Sequence, residues 1–256
     1  MKRLGPFSVA LISALYLLNI VGAADDASVQ ATKPIRVAVF SDAGVSDKVG
    51  GLIELLNTHT ELRVAKVDGT DIRGGKLSGF DVVLVPGGSG SKEAAALEES
   101  GRTEIRSFVE RGGGYLGICA GAYLASADYT WSLHILDAKV LDRAHWARGV
   151  GDVEVSLTTA GQKLLGADND RETILYWQGP LLAPAGKSEI PDFETLGTFA
   201  TEIAKNGAPT GVMIGTTAIA RGNFGAGRVL CFSPHPERTE AVQGQVLKAI
   251  QWAAGR

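Results

Sequence analysis

The chain has 256 residues, enough for one α/β domain with a sizeable core. Charged residues are 21% and hydrophobic residues 45%, the balance of an ordinary globular protein and not of a disordered one. The formal net charge is −3 without a basic run, which removes electrostatic support for nucleic-acid binding, and two cysteines exclude a disulfide framework.

Met1-Lys2-Arg3 opens with two positive charges. An apolar stretch from Phe7 to Val21 follows, then the small residues Gly22-Ala23-Ala24 and Asp25-Asp26. This is the order of a secretory signal peptide, with cleavage expected after Ala23 or Ala24. The apolar run is short for a membrane span. Residues 1–24 are therefore expected to be removed, leaving no stable membrane anchor and an exported protein, periplasmic or extracellular. Residues 25–34 read as a short leader, and 35–256 as a single domain.

Ile35 to Phe40 reads as a first strand, rich in β-branched residues. Val45 to Thr58 follows as a helix, with Val49, Leu52, Leu55 and Leu56 on one face. Leu62 to Val67 is a second strand, and Asp81 to Pro86 a third, apolar enough to be buried on both faces. Ser91–Ser100 and Arg102–Arg111 read as two helices. Strand and helix patterns alternate from Ile35 to Ser126. They predict an α/β protein of flavodoxin-like, doubly wound type, with a mostly parallel sheet and helices on both faces. The second half is less regular. Lys139–Leu141, Val153–Leu157, Thr173–Trp177, Phe193–Thr201 and Thr217–Arg221 read as extended, Val212–Gly215 as leading into the last of them, and Thr158–Leu165 as a short helix. Asn223-Phe-Gly-Ala-Gly227 is a hairpin turn before Arg228–Phe232, and Glu240–Ala254 is the closing helix.

Chemistry concentrates in three places. Tyr115 to Ile118 is an apolar run that stops at Cys119, and a small-residue helical segment follows at once. The frame Gly117-x-Cys119-x-Gly121 predicts a nucleophile elbow, in which a strained strand-to-helix turn exposes the sulfur and glycines avoid collision with neighbouring elements. The Ala120 N–H, at a helix start, is aimed at whatever the sulfur attacks. The second place is Ser233-Pro234-His235-Pro236-Glu237, at a strand end. Read as extended chain, it projects His235 and Glu237 to one side, so the carboxylate holds one ring nitrogen and frees the other as a base. The third is Pro86-Gly87-Gly88, where glycine lets backbone N–H groups approach a carbonyl oxygen. His59 reads as solvated. His134 and His145 lack an evident partner, and Cys231 reads as a small hydrophobe inside the sheet. No metal-ligand spacing or cofactor motif is apparent.

These motifs, in this order, resemble the class I glutamine amidotransferase-like superfamily. Phe108-Val-Glu-Arg-Gly-Gly-Gly-Tyr-Leu-Gly-Ile-Cys-Ala-Gly-Ala-Tyr-Leu-Ala125 and Tyr176-Trp-Gln-Gly-Pro180 are similar to the branch named after the N-terminal domain of some biotin-protein ligases. The resemblance covers Ile35 to about Ala254. It implies a Cys119-His235-Glu237 triad, an oxyanion hole of Gly87, Gly88 and Ala120 amides, and a small-molecule or peptide amide as substrate. Tyr123, Tyr176, Trp177 and Gln178 are candidates to line the pocket. Glutaminases of the superfamily carry Gln where this chain has Tyr123, and the related peptidases carry His where it has Ala120. No Gly-Arg-Gly-Arg-type biotin-adenylate loop is present, so biotin ligation is not implied. The reading is a thiol amidase. The alternative is a catalytically weak binding or sensing module on the same fold.

Overall fold

Five β-branched and apolar segments supply the central layer of this computed structural model, which describes residues 1, 2, 5 and 33–256. The expected signal peptide and most of the expected leader lie outside the described residues. Residues 33–256 form one unit. In it β1 (Ile35–Phe40), β2 (Leu62–Val67), β3 (Val82–Val85), β4 (Gly114–Ile118) and β11 (Gly227–Phe232) lie in the order β2-β1-β3-β4-β11, all parallel.

The period of two along these strands feeds two cores. Val37, Val39, Leu84, Leu116 and Ile118 enter one, while Ala38, Phe40, Val83, Val85 and Tyr115 enter the other. The first face is covered by α1 (Val49–Asn57) and α6 (Gly244–Ala253) through Leu52, Leu56, Val246 and Ile250. The second is covered by α2 (Gly69–Arg73), α3 (Gly90–Glu110) and α4 (Ala120–Ala125) through Ile72, Leu97, Ile105, Phe108 and Leu124. This is the doubly wound α/β arrangement, with helices on both faces.

Beyond β11 the sheet continues antiparallel through β10 (Thr217–Phe224), β9 (Glu194–Phe199), β6 (Val150–Leu157) and β7 (Arg171–Trp177). β5 (Ala138–Leu141) and β8 (Leu181–Pro184) form a side ladder onto β10. α5 (Thr159–Leu165) follows β6, its first turn capped by Thr158 Oγ1, which accepts the Gly161 N–H at 3.0 Å. Four reversals from β11 leave β7 running the same way as β4 and β11. The antiparallel part curls back far enough for the His235 N–H to donate to Leu175 O at 2.8 Å. The ends of β3, β4, β11 and β7 therefore meet at one edge.

Several boundaries differ from the sequence reading. The first helix starts at Val49 and not at Val45, because Val45 is drawn into a β-bridge with Gly88. The two helices expected before β4 are both present within α3, but they part at the non-helical Glu98 (φ 58°, ψ 179°) and not at Gly101. Residues 212–215 are a turn, not part of the next strand. The last helix begins at Gly244, after a 3-10 turn over Glu240–Val242. β8 starts after Pro180 and ends on Pro184, prolines that argue against a strand until the partner β5 is seen.

Candidate active site

The elbow is built by close approach. Cys119 joins β4 to α4 at φ 52°, ψ −99°, a conformation that a non-glycine residue holds only when its surroundings enforce it. Those surroundings are visible. The Cys119 N–H donates to Phe232 O at 2.8 Å, and the Tyr115 hydroxyl donates to Gly121 O at 2.8 Å from within the core. A Cβ at Gly121 would sit 2.2 Å from Val85 O, and one at Gly117 would sit 2.6 Å from Gly121 O. Both glycines are required by backbone, which cannot yield as a side chain can. Cys119 is 6% exposed, and its thiol donates to Trp177 O at 3.4 Å.

His235 follows β11, the strand next to β4. A methyl group at Gly87 would lie 2.7 Å from His235 Cε1 and 3.5 Å from Cys119 Cβ, so ring and sulfur-bearing carbon flank one point. His235 Nδ1 pairs with Glu237 Oε1 at 2.7 Å, both side chains under one tenth exposed. The pairing does not arise from an extended chain. Pro236–Arg238 form a 3-10 turn with Pro236 at its first position, where proline's fixed φ favours a helical start. The turn folds the carboxylate back onto the ring. The Thr239 hydroxyl donates to His235 O at 3.1 Å and accepts the Leu175 N–H at 3.0 Å, tying the turn to β7.

The second ring nitrogen, Nε2, is buried without a hydrogen-bond partner among the described residues. The sulfur lies 3.4 Å from Trp177 O and is also close enough to His235 to act on the ring. Burial opposes charge on His235, but the adjacent Cys119 and Glu237 outweigh it and push the imidazole up to about 10. The ring is therefore a strong proton acceptor near neutral pH, with Glu237 on one nitrogen and the other left for a group beside Cys119.

Gly87 and Gly88 follow β3 directly. Gly88 faces Val45 in the isolated bridge, and the loop is fastened by Ser46 N–H to Gly87 O at 2.9 Å and Ser89 N–H to Gly44 O at 2.8 Å. The Gly88 and Ala120 amides have no acceptor among the described residues, and both lie at the edge that carries Cys119.

A cavity of about 900 Å³ opens over this edge and is lined by Gly87, Gly88, Cys119 and His235. Tyr123, Trp177 and Gln178 line it too, and the Tyr123 hydroxyl donates to Gln178 O at 3.2 Å. Tyr176 does not. It is fully buried, donates to Gly179 O at 2.8 Å and packs edge-on against Phe199. Alternation along β7 turns Tyr176 inward and Trp177 outward. Sequence reasoning missed Lys48, Tyr129, Trp131, Arg143, Trp146 and Arg238, which also line the cavity. The available signal was aromatic content in the aperiodic stretch 126–150. His145 has a partner after all, since its Nδ1 lies 2.5 Å from Asp142 Oδ1. Cys231 is fully buried in β11 opposite Gly117. Burial raises its thiol, and both cysteines are free.

Residues 35–145 match the family model described as biotin-protein ligase, N terminal. A curated relative, an uncharacterized protein of Chlamydia muridarum, is 30% identical over 102 residues, which are 38% of this chain and 39% of that protein. The chain thus spans about two fifths of that relative's length. Among solved structures, a glutamine amidotransferase aligns with TM-score 0.59 and 19% identity over 86% of this chain and 99% of that chain. PurLQS from Thermotoga maritima aligns with TM-score 0.61 and 20% identity over 87% and 97%. A β-galactosidase from Bacillus circulans sp. alkalophilus aligns with TM-score 0.53 and 12% identity over 88% of this chain and 31% of that chain. At these identities the likeness is one of fold, and the presence of a β-galactosidase beside amidotransferases makes that point directly.

Proposed function

We propose, on the premise that this chain carries the class I glutamine amidotransferase-like fold with a first half matching the biotin-protein ligase N-terminal family, that it is a thiol amidase using Cys119, His235 and Glu237. The observation that carries this reading is the buried 2.7 Å pair between His235 Nδ1 and Glu237 Oε1, beside a cysteine held at positive φ. In the proposed cycle the Cys119 thiol passes its proton to His235 Nε2, and the sulfur attacks the amide carbonyl. The Gly88 and Ala120 N–H groups receive the developing oxyanion, with Gly87 as a further candidate; one such donor contributes about 3 kcal/mol. The His235 imidazolium protonates the departing amine, and the neutral ring then takes a proton from water for deacylation. Glu237 orients the ring throughout.

The test is thiol chemistry first and turnover second. Cys119 is expected to react with iodoacetamide near neutral pH much faster than a free thiol, and His235→Ala is expected to abolish the excess rate. Release of ammonia or amine from an amide panel, absent in Cys119→Ala, completes it. A wild-type rate equal to that of an unperturbed thiol would falsify the triad.

One observation favours a second reading, a binding or sensing module: Tyr123 lines the cavity at the position where glutaminases of the superfamily carry Gln. Normal ligand binding with no turnover in any amide series supports that module. Export to the periplasm or the exterior is a separate proposal, supported by the residue order over 1–26 and tested by sequencing the N-terminus of the protein recovered from cells.

A further inference from the structure

Resting on the amidase reading, we propose that the Cys119 cavity takes an amide bearing both a planar ring and a carboxylate, and not a free amino acid such as glutamine. Size is the first reason. About 900 Å³ is the upper end of what a drug-sized ligand occupies, far more than one amino acid fills.

Charge is the second. Lys48, Arg143 and Arg238 line the cavity against a single lining carboxylate, Asp47, in a chain whose formal net charge is −3. Lys48 lies 3.4 Å from Asp47, and Arg143 lies 3.5 Å from Asp128. Arg238 has no ion-pair partner among the described residues. The local excess of positive charge selects an anion.

The third reason is how the guanidinium groups are held. Arg143 lies 4.1 Å over the Tyr129 ring, which stacks on Trp131 with centroids 4.5 Å apart at 19°. Arg238 lies 4.7 Å over Trp177, itself 41% exposed. These two guanidinium–aromatic pairs come from separate segments, one after α4 and one at the His235 turn. A guanidinium held over a ring still has N–H groups to offer, and they match a carboxylate with two parallel hydrogen bonds; Arg238 has no competing acid among the described residues, while Arg143 shares its own with Asp128. The aromatic surface beside it offers a ring an offset-stacked or edge-on partner. Charge and planarity are therefore recognised together, within reach of the sulfur. Glutamine would supply only the charge.

The experiment measures affinity apart from turnover. Cys119→Ala protein, which cannot form an acyl-enzyme, is titrated calorimetrically with four probes. N-benzoylglutamine carries ring and carboxylate, N-acetylglutamine the carboxylate alone, N-benzoylglutamine methyl ester the ring alone, and free glutamine has no ring. N-benzoylglutamine is expected to bind about tenfold more tightly than either single-feature probe. Arg143→Gln combined with Arg238→Gln removes the advantage of the acid over its ester and leaves the advantage of benzoyl over acetyl. A spread below about threefold across the four probes, detectable binding by none of them included, overturns the inference. Ammonia release by the wild type is read separately. The expected affinity pattern without release refutes the amidase reading and leaves the inference standing. Release from all four probes without the pattern does the reverse.

Discussion

Glu93 offers a quantitative test of the loop behind the Cys119 cavity. It lies in the first turn of α3, fully buried, and neither carboxylate oxygen has a hydrogen-bond partner among the described residues. A Cβ at Gly88 would sit 2.8 Å from its Oε1, so the carboxyl group backs directly onto the Gly87-Gly88 loop. Burial raises its pKa from the ordinary 4.5 to about 8. The sign of the consequence follows from proton counting. Above pH 4.5 the unfolded chain releases this proton while the folded chain keeps it up to about pH 8, so stability falls as pH rises across that window. Each pH unit costs about 1.4 kcal/mol, which accumulates to about 5 kcal/mol by pH 8 and then stops growing. Glu93→Gln keeps the shape and has no proton to lose. Its stability relative to wild type should therefore climb by several kcal/mol between about pH 5 and pH 8 and level off above. The assay is urea unfolding of both proteins across that range, reading the difference in midpoint so that other titrations cancel. The starting offset carries no weight, since the amide's own contribution is the same at every pH; the slope decides. A difference that stays flat with pH means Glu93 is ionised in the folded protein, and the reasoning fails.

The elbow and its flanking loop separate stability from positioning. Gly121→Ala drives a methyl into the Val85 carbonyl at 2.2 Å, and the rigid contact should cost about 3 kcal/mol or more, read as a lower urea midpoint. Gly87→Ala meets the His235 ring at 2.7 Å instead; the protein should fold, with the iodoacetamide rate at Cys119 reduced about a hundredfold as the ring is displaced. Equal labelling rates in Gly87→Ala and wild type would show that the ring does not govern the sulfur. Tyr176→Phe removes the buried hydrogen bond to Gly179 O and should cost about 1 kcal/mol while leaving that labelling rate unchanged. A large rate change there would mean that Tyr176 serves the site and not the core.

What could be read from the chain alone was whatever short-range sterics dictate. Gly117-x-Cys119-x-Gly121 declares a strand turning into a helix because only glycine tolerates backbone at 2.6 Å and 2.2 Å from its would-be Cβ. The runs at Ile35–Phe40 and Val82–Val85 declare strands covered on both faces because both parities are apolar. Those signals place the Cys119, His235 and Gly87-Gly88 segments at the ends of adjacent strands. Other features were decided by contacts between segments far apart in sequence. Glu237 reaches His235 through a turn held by Thr239 and β7, and not through extended geometry. Tyr176 faces the core because β7 packs against β6 on one particular parity. The aromatic and cationic cavity wall comes from loops without periodicity, such as those holding Trp131 and Arg143, which no pattern in a linear chain can orient. Local backbone geometry is written residue by residue. The company a side chain keeps is settled only when the sheet curls and brings its distant edge home.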